Sequence, residues 1–338
     1  MRPILTVLFS SILLAACGGG SDDGPAAPGN PGSPGGTGQG ADAPAAVIAE
    51  SNYVSVAQKT LAANGFLVDS SAILPVGAEV VAQPELVQFA QAQIHKVPGW
   101  FARSPVTVAG ATESITERCS QGGFMTVSAT DANNNGIADA GDSLSISADR
   151  CRDGGVEING SLFFVFTRVS GNLESYPYSI AATITYRNLT LATAQESLTG
   201  NGSIAIDARV DSPSQSNVRL DVDSFTVSYS YAGKTDTQGL YRYTVALAQT
   251  RSTNTSSVNG IFVSSALDSR SVRIATTSPF VTQAANRYPS SGSATIHGAA
   301  GASVRVTAVD ASAVRLELDA NGDGQYEISE VRRWNELH

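Results

Sequence analysis

The sequence of 338 residues contains few of the side chains that most often carry out catalysis. It has three histidines, His95, His297 and His338, and no pattern joins one of them to a nucleophile and a carboxylate. No glycine-rich loop follows a predicted strand and opens a helix, so no phosphate-binding loop is predicted. A pair of carboxylates that hydrolyses sugars remains an alternative, although the acidic residues concentrate in two loops. The sequence therefore predicts a protein that is not an enzyme, with a secreted hydrolase as the least favoured alternative.

Lysine is scarce, since Lys59, Lys96 and Lys234 are the only three, and the other basic residues are arginines. The 21 Lys and Arg are outnumbered by 30 Asp and Glu, which gives a formal net charge of −9. An acidic protein repels phosphate backbones and anionic lipids, whereas it attracts cations. We therefore expect no nucleic-acid partner.

Apolar runs long enough to cross a bilayer are also lacking. The run from Ile4 to Leu14 follows a single positive charge, Arg2, and is too short to span a membrane as a helix. This order is typical of an export signal, predicted here as residues 1–16. The stretch Leu14-Ala15-Ala16-Cys17 resembles the lipobox of bacterial lipoproteins. That resemblance implies that Cys17 is acylated and anchors the protein to a membrane; the alternative is an ordinary cleaved signal with a chance cysteine.

The residue after Cys17 is Gly18, where inner-membrane lipoproteins of this family carry Asp, so the resemblance implies attachment to the outer membrane. Residues 17–46 are rich in Gly, Pro, Ser and Ala and have almost no large apolar side chain. Such a tract cannot bury enough surface to offset its conformational entropy. We predict a disordered tether between the lipid and the folded part of the chain.

Only two other cysteines occur, Cys119 and Cys151. Outside the cytoplasm such a pair most often forms a disulfide. A bridge across a loop of this length contributes ~3 kcal/mol in the chain-entropy treatment. A redox pair would need closer spacing, and a metal site would need nearby histidines.

The remaining sequence divides into a helical segment, residues 47–103, and a β domain, residues 104–338. Apolar residues at helical spacing predict one helix that ends at Asn64-Gly65 and a second over residues 84–97. From residue 104 onward apolar and polar residues alternate, which predicts about a dozen strands. Turns are predicted at four positions: Ser170-Gly171-Asn172, Gly200-Asn201-Gly202, Ala232-Gly233-Lys234 and Asn259-Gly260.

Short connections of this kind make antiparallel neighbours, so the predicted fold is mainly β. We expect an extended antiparallel meander curled into a half-barrel, a barrel or a two-layer sheet, with the helical segment packed on it. A transmembrane barrel is disfavoured, because the predicted strands are short and lack aromatic girdles.

Residues 319–330 resemble the twelve-residue calcium loop of EF-hand and dockerin proteins. Oxygen-bearing side chains stand at loop positions 1, 3, 5, 9 and 12: Asp319, Asn321, Asp323, Glu327 and Glu330. Gly324 occupies position 6, where a positive φ is needed, and Gln325 offers its carbonyl at position 7. The four carboxylates of this loop suit a hard divalent cation, so we predict that the loop binds Ca²⁺.

Residues 131–142 repeat the same frame with fewer charges. Its predicted ligands are Asp131, Asn133, Asn135, the carbonyl of Ile137, Asp139 and Asp142. An amide replaces the carboxylate at position 5 and the last residue is Asp, not Glu, so weaker Ca²⁺ binding is expected. For both loops the alternative is a metal-free turn, because Asn, Asp and Gly also favour turns.

Three functions are compatible with these features. The first is a calcium-stabilised cell-envelope lipoprotein, anchored to the outer membrane by its lipid, with a non-enzymatic binding or structural role. The second is an envelope carrier or chaperone that holds a lipid or another apolar ligand in a curved sheet. The third is a secreted hydrolase. The sequence names no protein partner and no ligand.

Overall fold

The computed structural model describes residues 40–68, 89–90, 93, 110, 112–173 and 175–337. Cys17, the predicted signal peptide and most of the predicted tether lie outside the described residues. No helix among those residues is both long and apolar enough to cross a membrane.

The described part of the chain forms one helix, α1 (Tyr53–Val68), and one sheet of fourteen strands. The strands are β1 Thr112–Arg118, β2 Phe124–Thr130, β3 Ser143–Asp153, β4 Val156–Gly171, β5 Tyr178–Ala192, β6 Glu196–Ser212, β7 Gln215–Tyr231, β8 Lys234–Gln249, β9 Thr253–Ser264, β10 Arg270–Gln283, β11 Ser291–His297, β12 Ser303–Ala308, β13 Ala313–Asp319 and β14 Ile328–Arg333.

Every strand pairs antiparallel with its neighbours in the sequence, so the sheet is an uninterrupted meander. In the described part of the chain β1 and β14 form the two edges and do not pair with each other, so the sheet is not closed into a barrel. The predicted mainly β meander is confirmed. Strands β4 to β8 contain 15 to 17 residues each and are longer than the alternation pattern predicted.

Side chains alternate between a buried face and a polar face along nearly every strand, as the pleat requires. Leu144 and Ile146 of β3 and Leu162 of β4 are almost fully buried on the inner face. On the outer face, hydroxyl side chains bond across strands: Ser114 with Ser128 at 2.7 Å, for example. Burial of the inner face supplies the hydrophobic free energy of folding, whereas the outer face remains in contact with water.

Helix α1 packs against β8, β9 and β12. Its buried residues Tyr53, Val56, Ala57 and Leu61 recur at helical spacing, as predicted, but the helix continues past Asn64-Gly65 to Val68. Residues 89, 90 and 93 are also helical and buried, while the rest of the second predicted helix lies outside the described residues.

A line of β-bulges crosses the sheet from β3 to β9. Arg150 on β3, Asn188 on β5 and Arg242 on β8 each have positive φ, and each lies where the register with a neighbouring strand shifts. A bulge bends its strand and increases the local twist. Because the bulges lie side by side, all of the long strands bend at the same level, which lets one open sheet curve around its own core.

Glycines make these bends possible. Gly160 has φ +95°, and a Cβ there would lie 2.2 Å from the carbonyl oxygen of Asn188. Gly202 has φ +120°, and its Cβ would lie 2.2 Å from the carbonyl oxygen of Ser224. Only a residue without a side chain allows the neighbouring backbone to approach this closely.

Each of these glycines follows an asparagine whose side chain accepts a hydrogen bond from the backbone of a neighbouring strand. Asn159 Oδ1 accepts a hydrogen bond from the backbone N–H of Arg150 at 2.6 Å, and Asn201 Oδ1 accepts one from Asn188 at the same distance. The predicted turns at Gly200-Asn201-Gly202 and Asn259-Gly260 are therefore wrong, because both segments lie inside strands. The predicted turn at Ala232-Gly233-Lys234 is confirmed between β7 and β8, whereas Ser170 and Gly171 still belong to β4 and the chain turns after them.

Large rings fill the inner side of the bend. Tyr186 and Phe225, the register partners of Gly202 on the two adjacent strands, pack edge to face with ring centroids 5.0 Å apart. Both rings are buried, and burial raises the pKa of the Tyr186 hydroxyl. The aromatic rings cover the space that the glycine leaves empty.

The predicted disulfide between Cys119 and Cys151 is confirmed, with their Cα atoms 5.3 Å apart. Cys119 follows the edge strand β1 and Cys151 lies in β3. The bridge therefore ties the end of the edge strand to the second strand beyond it. It encloses residues 131–142, which connect β2 to β3.

Candidate metal centre

The β13–β14 connection is organised by its first residue, Asp319, which ends β13 and is only 4% exposed. Its Oδ1 accepts the backbone N–H of Gly322 at 2.7 Å, and its Oδ2 accepts that of Gly324 at 2.9 Å. Both glycines have positive φ, as the tight loop requires. The side chain of Asp319 thus replaces the missing backbone partners of the loop.

Asp319, Asp323 and Glu327 can each offer one carboxylate oxygen to a common point, since those oxygens lie within 4.8 Å of one another. Glu327 Oε2 accepts the N–H of Ala320 at 2.9 Å, and Asp323 accepts that of Gln325 at 2.7 Å. Three carboxylates this close repel one another unless a cation or protons neutralise them. This triad can hold a metal ion.

The other predicted ligands in this loop have supporting positions. The Asn321 side chain accepts the N–H of Asp323 at 2.8 Å and donates to the carboxylate of Asp323 at 3.2 Å. Gln325 is exposed, with its N–H turned to Asp323. Gly322 packs against the backbone of Ala300 and Gly301, which precede β12, so the loop rests on the neighbouring connection.

The structure does not bring Glu330 into the triad. Glu330 lies in β14, opposite Leu316, because the chain has already returned to the sheet at Ile328. Its carboxylate accepts hydrogen bonds from Tyr53 of α1 and from Arg332, the latter at 2.8 Å. Tyr53 is 277 residues away in the sequence, so no local pattern could have revealed this partner.

Tyr53, Glu330 and Arg332 form an electrostatic link between α1 and the last strand. Arg332 holds the pKa of the Glu330 carboxyl below its usual range. Burial, with help from the adjacent Glu330 carboxylate, raises the pKa of Tyr53 from 10.0 to about 12. The link therefore favours an ionised Glu330 and a neutral Tyr53.

The Y53F variant should lower the free energy of unfolding at neutral pH by about 1.5 kcal/mol, because a buried hydrogen bond to a charged group is lost. The stabilisation from the Tyr53 hydroxyl is fully present below pH 10, its unfolded pKa, and is lost as the pH rises through about 12. A difference titration of tyrosinate absorbance, wild type minus Y53F, should show a transition near pH 12. A transition near pH 10, or an effect as small as that of the exposed control Y231F, would contradict this assignment.

The first predicted calcium loop, residues 131–142, is held by its own hydrogen bonds. The buried carboxylate of Asp131 accepts the N–H of Asn134 at 2.5 Å and that of Gly136 at 2.7 Å. Asp142, fully buried, accepts from the backbone of Ala132 and of Asp139, both at 2.8 Å. These bonds match the metal-free turn that the sequence left open.

The remaining predicted ligands of this loop point toward one another. Asn133 and Asn135 both donate their side-chain amides to Asp139 Oδ2 at 2.6 Å. Asp139 Oδ1 is buried without a hydrogen-bond partner. Burial raises the pKa of the neighbouring Asp142 carboxyl, and the exposed Ile137 donates its N–H to Asn135. The loop thus has one unsatisfied carboxylate oxygen, and its carboxylates do not converge as those of the second loop do.

Comparisons with known proteins return no matching family model, no matching curated protein and no matching solved structure.

Proposed function

We propose that this chain is a cell-envelope lipoprotein with a non-enzymatic binding or structural role, whose β domain is stabilised by Ca²⁺. The observation that carries the proposal is the convergence of Asp319, Asp323 and Glu327 in a loop with two positive-φ glycines. The lipobox-like stretch that ends at Cys17 supports the envelope location, where calcium reaches the concentrations that weak sites need.

The donor set favours Ca²⁺ over softer metals. All three side chains of the triad are carboxylates, and hard oxygen ligands suit Ca²⁺ or Mg²⁺. A loop that mixes carboxylate, amide and carbonyl oxygens suits the variable coordination of Ca²⁺ better than the strict octahedron of Mg²⁺. Asn321 and the carbonyl of Gln325 would add oxygens from the same loop.

The positions of the two loops support a structural role. One connects β2 to β3 and the other connects β13 to β14, so each lies next to an edge of the sheet. An edge strand has a hydrogen-bonded partner on one side only. An ion held by Asp319, Asp323 and Glu327 would stabilise the hairpin at one edge, and the disulfide from Cys119 to Cys151 stabilises the strands at the other.

The carrier alternative needs an open apolar concavity. In the described part of the chain the inner-facing side chains are packed instead: Phe164, Val245 and Leu316 are fully buried. A hydrolase has equally little support, since the one described histidine, His297, is exposed at the end of β11. Neither alternative gains an observation in its favour.

Calcium titration tests the proposal. At a concentration 100-fold above its dissociation constant, Ca²⁺ should stabilise the fold by about 2.7 kcal/mol and raise the Tm by about 5–10 °C relative to EDTA. Isothermal calorimetry should show heat of binding at millimolar calcium or below. The double variant D323N/E327Q should lose both the heat and the shift, because two of the three carboxylates are gone.

The control is D268N, which removes the same kind of charge from an exposed position outside both loops. Asp268 has φ 54°, a conformation that Asn tolerates, so the control should fold normally. It should keep the full calcium response. No heat at millimolar calcium, together with a Tm that EDTA leaves unchanged, would refute the proposal.

A further inference from the structure

A groove of about 340 Å³ crosses the outer face of the sheet over β6 to β10. Its floor is made of small residues, Ala246 and Ala248, whose outward neighbours in register are Ser257 and Thr255. Arg219 lies on the other side of the floor, together with its neighbours on β6 and β7. Its volume lies at the lower end of the range for small-molecule sites.

The groove borders a break in the pairing of β10 with β9. Their pairing is interrupted between Val272 and Phe280, and Pro279, which has no N–H to donate, forms part of the far wall. Thr276 fills the interrupted ladder, since its hydroxyl donates to the carbonyl of Val258 at 2.9 Å. The depression is therefore built by the backbone and does not depend on one flexible side chain.

The charged side chains of the groove are paired with carboxylates or guanidinium groups beside it. Arg219 makes two hydrogen bonds to Asp221, at 2.7 and 2.8 Å, and Thr244 donates to the same carboxylate at 2.8 Å. The other two ion pairs here are Arg209 with Asp211 and Arg168 with Asp207. Paired side chains lose less entropy than unpaired ones when they bind a ligand.

The charges in and behind the groove cancel. Each guanidinium is matched by a carboxylate, so the surface offers no surplus of positive charge to a phosphate, sulfate or carboxylate group. Around the small apolar floor, Asp207 offers hydrogen-bond acceptors, Arg219 offers donors, and the side-chain amide of Asn217 offers both. These features suit a neutral ligand that donates and accepts hydrogen bonds at several points and has a small apolar face.

We propose that this groove binds a neutral saccharide. Each sugar hydroxyl both donates and accepts, which suits the alternating donors and acceptors along β6 and β7, and the C–H face of the ring suits Ala246, Ala248 and Pro279. The site lies on the outer face of the middle strands, away from the β13–β14 loop. It would give the domain a binding activity that does not depend on the metal proposal.

Affinity electrophoresis of the full chain tests this site. The gels contain one neutral polysaccharide each (dextran, mannan, galactan, xylan or a β-glucan), and one further gel contains heparin as the anionic probe. At least one neutral polysaccharide should retard the protein, and heparin should not. The variants N217A and A246F should weaken the retardation roughly tenfold, by losing a polar contact and by filling the floor.

The matched control for A246F is A192F, which places the same ring on the outer face of β5, far along the strands from the groove. It should bind like the wild type. If no neutral polysaccharide retards the protein, if heparin alone does so, or if N217A and A246F bind normally, the proposal is overturned. The N217A variant keeps the test valid should A246F fail to fold.

Discussion

The G160A variant is expected to lower the free energy of unfolding by about 3–5 kcal/mol. Two costs combine at this position. The backbone has φ +95°, which strains any residue with a side chain, and the new methyl carbon would lie 2.2 Å from the carbonyl oxygen of Asn188. That oxygen belongs to the backbone of the next strand, so the overlap can be relieved only by moving β5 away from β4. Urea denaturation monitored by circular dichroism measures the loss.

A substitution at Gly233 measures the cost of backbone strain without the cost of steric overlap. This glycine lies in the turn between β7 and β8 with φ +76°, and a Cβ there would meet nothing within 4 Å. G233A should therefore cost about 1 kcal/mol, from backbone strain alone. If G160A were no more destabilising than G233A, the close approach of strands along the line of bulges would not be needed for folding.

Removal of the disulfide is the second large effect. The cysteines are 32 residues apart, and a loop of that size corresponds to about 3–4 kcal/mol in the chain-entropy treatment. The double variant C119A/C151A should lower the Tm by roughly 10 °C for a domain of this size. Cys151 is only 2% exposed, so the alanine there also leaves a small space in the core.

Reduction of the wild type with a thiol serves as the comparison, because it opens the bridge without changing any residue. Reduced wild type and the double variant should melt within a few degrees of each other, the variant slightly lower. A double variant that melts with the oxidised wild type would mean that the edge strand β1 contributes little to the cooperative fold.

The antiparallel meander could be predicted from the sequence because alternation is local. Leu144, Ile146 and Ala148 show their inward face without any knowledge of what covers it. The bends could not be predicted in the same way. Asn-Gly is typical of a two-residue hairpin, but a bulge needs the same positive φ, so Asn201-Gly202 fits both. The choice between them depends on the neighbouring strand, which is set by the tertiary structure.

The candidate metal site was predictable in its first nine positions and not in its last. Asp319, Asp323 and Glu327 act within one loop, so their spacing alone brings them together. Glu330 would close the site only if a helix followed the loop, as in an EF-hand. A strand follows instead, and strand geometry directs Glu330 to Tyr53 on α1. Residues 131–142 have similar spacing, but Asn133 and Asn135 donate their amides to Asp139 Oδ2, and the carboxylates of this loop do not converge on one point.

The strictly sequential order of the strands has a consequence for how the chain reaches its folded state. Each of β2 to β14 pairs with the strand that directly precedes it, so the sheet can grow one strand at a time, with few long loops to close. Helix α1 is the exception. It is synthesised before any strand, yet it packs on β8, β9 and β12 and its Tyr53 binds Glu330 of β14. The full set of contacts of α1 therefore forms only once β14, the far edge of the sheet, is in place.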